Sequence, residues 1–220
     1  RQIFIHGFIT ADGEKMSKSV GNVVDPYVIV GKYGIDAVRY YLLGAVAAAE
    51  DGDFSLERFE KFYTAHLANG VGNLTHRVLT MLEKYADGRI PDVSEKPVGF
   101  DKFWQQLNEA MQNFQFDAYV AEIQSLITGC DKLINEVKPW QRAKRGESVA
   151  APLYQLGETL RHIALALLPI IPTSAEKILA ALGVDRKNLI SFDEEKIWGR
   201  LQPGAAVRKG EILFVPLTTR

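Results

Sequence analysis

The stretch Ser55 to Tyr85, SLERFEKFYTAHLANGVGNLTHRVLTMLEKY, decides the fold class. In it Phe59, Phe62, Leu67, Val71, Leu74, Val78 and Leu82 recur at intervals of three to five, which stacks them along one face of a helix. Ser55 suits an N-cap, so the pattern predicts one long helix whose apolar stripe belongs in a core. Gly70 and Gly72 interrupt it, each at a cost of roughly 0.8 to 1.0 kcal/mol relative to alanine. Some body, a neighbouring helix or a nucleic acid, must therefore approach the backbone closely. Asn73 and Arg77 stand at i and i+4 beside the stripe. They read either as an ordinary polar helix surface or as a donor and acceptor set for the edge of an unpaired base.

Downstream, helical patterns cover 101 to 114, 117 to 137, 149 to 168 and 174 to 182. The last is opened by a capping box, Thr173-Ser174-Ala175-Glu176, and closed by Gly183. These predict an antiparallel helix bundle. Upstream, residues 2 to 10 alternate in polarity and predict one strand, ended by the turn Ala11-Asp12-Gly13-Glu14. Asp25-Pro26 opens a helix that Gly34 stops, and a second short helix runs from Asp36 to Leu43. The fold class expected is mainly α: a short β-strand, a polar loop and small helices, then the bundle. Gly52 and its acidic neighbours place a domain boundary after residue 54, giving segments 1–54, 55–200 and a tail, 201–220, that packs back.

Composition narrows the function. With 47% hydrophobic and 24% charged residues over 220 positions, the chain is that of an ordinary globular protein. No apolar run reaches the ~18 residues that suggest a membrane span. The lone cysteine, Cys130, excludes a disulfide framework and a multi-cysteine zinc site, so the cytoplasm is the expected compartment. A net charge of -1 means that any nucleic-acid contact must be local. One basic patch qualifies: Lys138 to Arg145, KPWQRAKR, sets four cations around Trp140. Pro139 is expected to end the preceding helix. Trp140 then reads as a core plug or as a stacking platform for a splayed base, and its basic neighbours favour the platform. The chain opens on Arg1 and runs straight into a strand-like stretch, so a longer parent is expected.

A second polar feature follows the first strand. Lys15-Met16-Ser17-Lys18-Ser19 lies between Gly13 and Gly21 and presents two ammonium groups on a loop, which suits a polyphosphate. On charge alone it reads as solvated surface. His6, His66, His76 and His162 are scattered and read as packed or solvated side chains.

The string KMSKS resembles the signature that closes the active site of class I aminoacyl-tRNA synthetases, and the following VGNVVDP resembles its continuation in the branch charging aliphatic and sulfur-containing amino acids. Together with the N-x-x-x-R helix and the Pro-Trp dipeptide, the chain resembles methionyl-tRNA synthetases over residues 1 to about 200. The resemblance implies that Lys18, supported by Lys15, is catalytic, stabilising the charge on departing pyrophosphate. It implies ATP contacts from Lys15, Met16, Ser17, Lys18 and Ser19, and anticodon contacts from Asn73, Arg77, Pro139 and Trp140, the indole stacking on the first base of CAU. It further implies ATP with Mg2+ and methionine in the full enzyme, tRNA(Met) as partner, no metal site in these residues, no membrane and a monomer. The histidine signature and nucleotide-binding fold of the class are not in these residues. The catalytic half is thus expected upstream, and this stretch alone is expected to be inactive. A stand-alone tRNA-binding module and the matching part of a sister synthetase are the alternatives.

Overall fold

A computed structural model describes residues 3–17, 22–93 and 100–217. The expectations for Lys18 and Ser19 lie outside the described residues. Strand β1, Ile9–Ala11, pairs antiparallel with β2, Glu14–Lys15, through a two-residue turn in which Asp12 and Gly13 both have positive φ, 53° and 79°. Asp-Gly is the sequence that this hairpin favours. Strand β3, Gly52–Phe54, lies parallel on the other side of β1, with Ile9 opposite Gly52. The strand predicted over 2 to 10 is therefore corrected to Ile9–Ala11. Residues 3–8 form no ladder, and Ile3, Ile5 and Phe8 are exposed. Alternating polarity permits a strand, but only a hydrogen-bonded neighbour makes one.

Helix α1, Pro26–Tyr33, is capped by Asp25, whose side chain accepts from the Tyr27 N–H at 2.8 Å. Gly34, at φ 84°, turns the chain into α2, Ile35–Gly44. After β3, Ser55 caps α3, Leu56–Phe62, by accepting from the Arg58 N–H. The long helix then departs from the expectation of one continuous α-helix. Tyr63–Gly72 is π-helical, with wider turns, before α4, Asn73–Tyr85, resumes. The glycines mark this passage. A Cβ on Gly72 would lie 3.0 Å from the Leu67 carbonyl oxygen of its own wide turn, and one on Gly70 would meet Oε1 of Gln124 at 3.2 Å. The close body at Gly70 is a neighbouring helix, and Phe214 of the C-terminal tail lies near Gly72.

The rest of the bundle is α5, Asp101–Gln112; α6, Phe116–Val137; α7, Pro139–Lys144; α8, Ala150–Leu167; and α9, Pro172–Ala181. A 3-10 turn, Arg186–Asn188, and α10, Phe192–Glu195, follow. Helix α8 is central: every residue from Leu156 to Leu167 is buried, and it packs on α4, α6 and α9. A helix buried nearly all round needs such a place, and the polar side chains within it need partners of their own.

Two local expectations are corrected. Pro139 does more than end a helix: Lys138, left-handed at φ 47°, ends α6, and Pro139 opens α7 at its first position, where its missing N–H and fixed φ cost nothing. The capping box at Thr173 is not used. Helix α9 starts two residues earlier, at Pro172, and the Ser174 N–H donates at 2.6 Å to the buried Asp36 carboxylate of α2. A side chain far away in sequence takes the place of a local cap. The apolar core runs unbroken from Tyr33, Tyr41 and Phe54 through Phe59 into the bundle. The tail returns over it: Gly204 and Ala205 exchange backbone hydrogen bonds with Ile90, Phe214 is buried against Tyr63, and the Tyr63 hydroxyl donates to the Val215 carbonyl at 3.0 Å.

Candidate functional site

The lysine loop leaves β2 from a polar frame. The Asp53 carboxylate of β3 accepts from the Gly13 N–H at 2.7 Å and from the Thr10 hydroxyl at 2.9 Å, and pairs with Arg58 at 3.1 Å. Those hydrogen bonds, Gly13 foremost, hold its carboxyl below the usual range. Across the loop, Asn22 bridges the strand end: its side-chain oxygen accepts from the Ser17 N–H at 2.9 Å and its amide donates to the Lys15 carbonyl at 3.2 Å. Lys15 is exposed, while Met16 and Ser17 are half-buried. The frame thus fixes the point from which the loop departs and leaves the Lys15 ammonium in solvent.

The second group of expected residues sits on helices. Asn73, at the first position of α4, is exposed. Arg77, one turn on, is half-buried and ion-paired with Asp131 of α6. Trp140 is 36% exposed on the first turn of α7, above a buried Pro139. It is a surface side chain rather than a core plug. The structure joins Arg77 to α6, the helix whose end leads directly into Trp140; Asn73 lies on the same exposed side of α4 as Arg77. The patch around Trp140 is less positive than its eight residues suggest. Just past them, Glu147 pairs with Arg145 at 2.6 Å and stands 4.0 Å from Arg142, while among the described residues Lys138 and Lys144 have no ion-pair partner.

Sequence reasoning missed Asn22, Asp53 and Asp131, and it missed the polar cluster within α8. Glu158 and Arg161 are buried together at 2.6 Å, and Arg161 reaches Glu195 at 3.1 Å. Glu158 also accepts the N–H groups of Gly199, Arg200 and Leu201. Burial pushes its carboxyl up, but hydrogen bonds from His162 and Arg161 and the Arg161 charge outweigh that and take it down to about 2. His162 accepts from the Trp104 indole N–H at 3.0 Å and stacks on Trp198. Of the other histidines, His66 stacks on Phe62, with burial lowering its pKa, and His6 and His76 are exposed. A Glu-x-x-Arg-His spacing inside an apolar helix was the available signal for this cluster.

A hairpin that launches a lysine loop, packed on a helical bundle with exposed polar and aromatic side chains, defines a class. Residues 1–79 match the family model of class I tRNA synthetases of the M type, and residues 99–220 match that of the anticodon-binding domain of methionyl tRNA ligase. The chain belongs to the methionyl-tRNA ligase family. It is 36% identical over 224 residues to the methionine–tRNA ligase of Thermotoga maritima and 38% identical over 225 residues to that of Caldanaerobacter subterraneus subsp. tengcongensis. Each alignment covers 97% of this chain, which spans about a third, 35%, of the length of these curated relatives. The structure of Mycobacterium tuberculosis methionyl-tRNA synthetase in complex with methionyl-adenylate superposes with a TM-score of 0.81 at 32% identity, over 95% of this chain and 43% of that one.

Proposed function

We propose that this chain is the part of a methionine–tRNA ligase that brings the KMSKS loop to the active site and reads the CAU anticodon of tRNA(Met). The observation that carries the reading is Trp140: an indole at the surface, on a helix start fixed by a buried proline, with Lys138 and Lys144 beside it. Such an indole offers a flat face to an unstacked base and cations to the flanking phosphates. Asn73 and Arg77 present donors and an acceptor to base edges, and Arg77 must leave Asp131 or share it to do so. At the other end, Lys18 and Lys15 stabilise the negative charge that grows on pyrophosphate as the methionine carboxylate attacks the α-phosphate of ATP. Mg2+ would arrive with the nucleotide, since among the described residues no acidic cluster gathers to hold it. The same reading makes the complete ligase a cytoplasmic monomer.

The test compares affinities for a tRNA with a CAU anticodon and for one with an altered anticodon. Trp140→Ala should lose ~1 to 3 kcal/mol of binding to the CAU tRNA with an unchanged urea midpoint. Asn73→Ala and Arg77→Ala should weaken CAU binding and leave the already mismatched tRNA nearly untouched, because base-edge contacts carry discrimination. Equal losses for both tRNAs would sink the anticodon reading.

A further inference from the structure

A cleft of about 340 Å³ opens between α4, α9 and the tail segment 208–213. Leu79 and Ile178 lie on its apolar floor, and Lys177, Arg208 and Lys209 stand exposed around it, with Glu211 as the opposing carboxylate. Among the described residues none of these three cations is ion-paired. In a chain of net charge -1, such a concentration is not a consequence of composition.

Its position relative to Asn73 follows from helix geometry. Successive residues of α4 turn by about 100°. Arg77 therefore projects about 40° to one side of Asn73, toward Asp131 and α6, and His76 about 60° to the other. His76 lines the cleft. An RNA loop laid over Asn73, with Arg77 and Trp140 on one flank, has the cationic cleft on its other flank.

Resting on the proposed anticodon reading, we infer that this cleft is a second RNA contact, in which Lys177, Arg208 and Lys209 take backbone phosphates of the anticodon arm. The three ammonium and guanidinium groups suit phosphate oxygens, and the apolar floor suits the sugar faces between them. Contacts to phosphate position the RNA and carry no sequence preference.

The experiment measures binding of the chain to CAU and altered-anticodon tRNAs across a salt series. The triple variant Lys177→Ala/Arg208→Ala/Lys209→Ala should weaken both tRNAs alike, by tenfold or more at low salt. Its plot of log affinity against log salt should be shallower by about 2, since each neutralised phosphate contributes about 0.7 to 0.9 to the slope. Glu211→Gln should move affinity the opposite way, tightening both tRNAs a few-fold. All four side chains are exposed, so urea midpoints should not change. An unaltered slope in the triple variant, with Trp140→Ala still weakening the CAU tRNA, would overturn the cleft and leave the anticodon reading standing. Full CAU preference kept in every variant together with an unaltered slope in the triple variant, or no tRNA binding at all, would overturn both.

Discussion

The two ends of this molecule hold their candidate contacts by opposite means. Around Lys15 the geometry depends on a handful of polar hydrogen bonds, from Asp53 to the Asp12-Gly13 turn and from Asn22 to the loop's departure, on three short strands. Around Asn73 and Trp140 the side chains stand on helices whose other faces are buried: Leu74 and Val78 beneath Asn73 and Arg77, Pro139 beneath Trp140. Each hydrogen bond contributes about 1 kcal/mol net. The buried faces contribute several times that for each large side chain. The frame around Lys15 can therefore be undone by breaking two or three contacts, whereas the backbone that carries Asn73 and Trp140 moves only if the core moves.

The sharpest way to break this contrast is to attack the buried centre of the bundle. Glu158→Gln removes the charge nearest the buried Arg161 and should cost about 3 to 5 kcal/mol in urea unfolding, the usual result of breaking a buried pair. The same carboxyl gives a pH signature. Its folded value of about 2 lies below its ordinary 4.5, so its contribution is complete above pH 4.5 and is lost as pH falls toward 2. Wild type should lose roughly 3 kcal/mol more than Glu158→Gln across that window. A variant with wild-type stability and the same acid limb would mean that the helices are held otherwise.

A smaller effect is expected at the lysine end. In a full-length ligase, Asn22→Ala should slow single-turnover adenylate formation about tenfold, the equivalent of ~1.4 kcal/mol, without moving the unfolding midpoint. Loss of stability with unchanged chemistry would show that the Asn22 bridge is a structural brace rather than a setting of the loop. The smallest effect belongs to Asp131→Asn. The Arg77 pair is about a third exposed on each side, so stability should change by less than ~1 kcal/mol. CAU tRNA binding should tighten by a similar amount as the guanidinium is freed. A stability loss above 2 kcal/mol would reassign Arg77 from reader to brace.

The legible parts of the sequence were those set by local chemistry. Asp25-Pro26, Ser55 and Gly34 delimit helices as their residue types dictate, and the lysine loop follows a two-residue turn that Asp12-Gly13 specify on their own. What was not legible depends on partners remote in sequence. Asp36 displaces the capping box at Thr173, 138 positions from the Ser174 N–H it accepts. The Glu158 cluster was hidden because α10 and the turn after it, where helical periodicity fades, supply the cover. Residue type and spacing singled out Asn73, Arg77 and Trp140 but left surface, core and reader open; the family resemblance supplied the reader role. Asp131, which restrains one of them, lies 54 positions from Arg77 and gave no local signal. Besides Gly70 and Gly72, the π-helical passage left a trace in the five-residue gap from Phe62 to Leu67 in an otherwise shorter rhythm.

That passage has a consequence for how the chain can vary in length. Phe59 before it and Leu74 after it are each fully buried, so both ends of the wide-turned stretch are clamped at fixed angles about the axis. Removing one residue between them would change the angle at which everything downstream meets everything upstream, since the wide turns and the ordinary α turns sweep different angles per residue. The core would then oppose its own register, or Asn73 and Arg77 would swing away from α6 and Trp140. The ten residues Tyr63–Gly72 act as a spacer that indexes the compass bearing of Asn73 and Arg77 against the lysine end, and substitutions within it should be borne far more readily than a deletion.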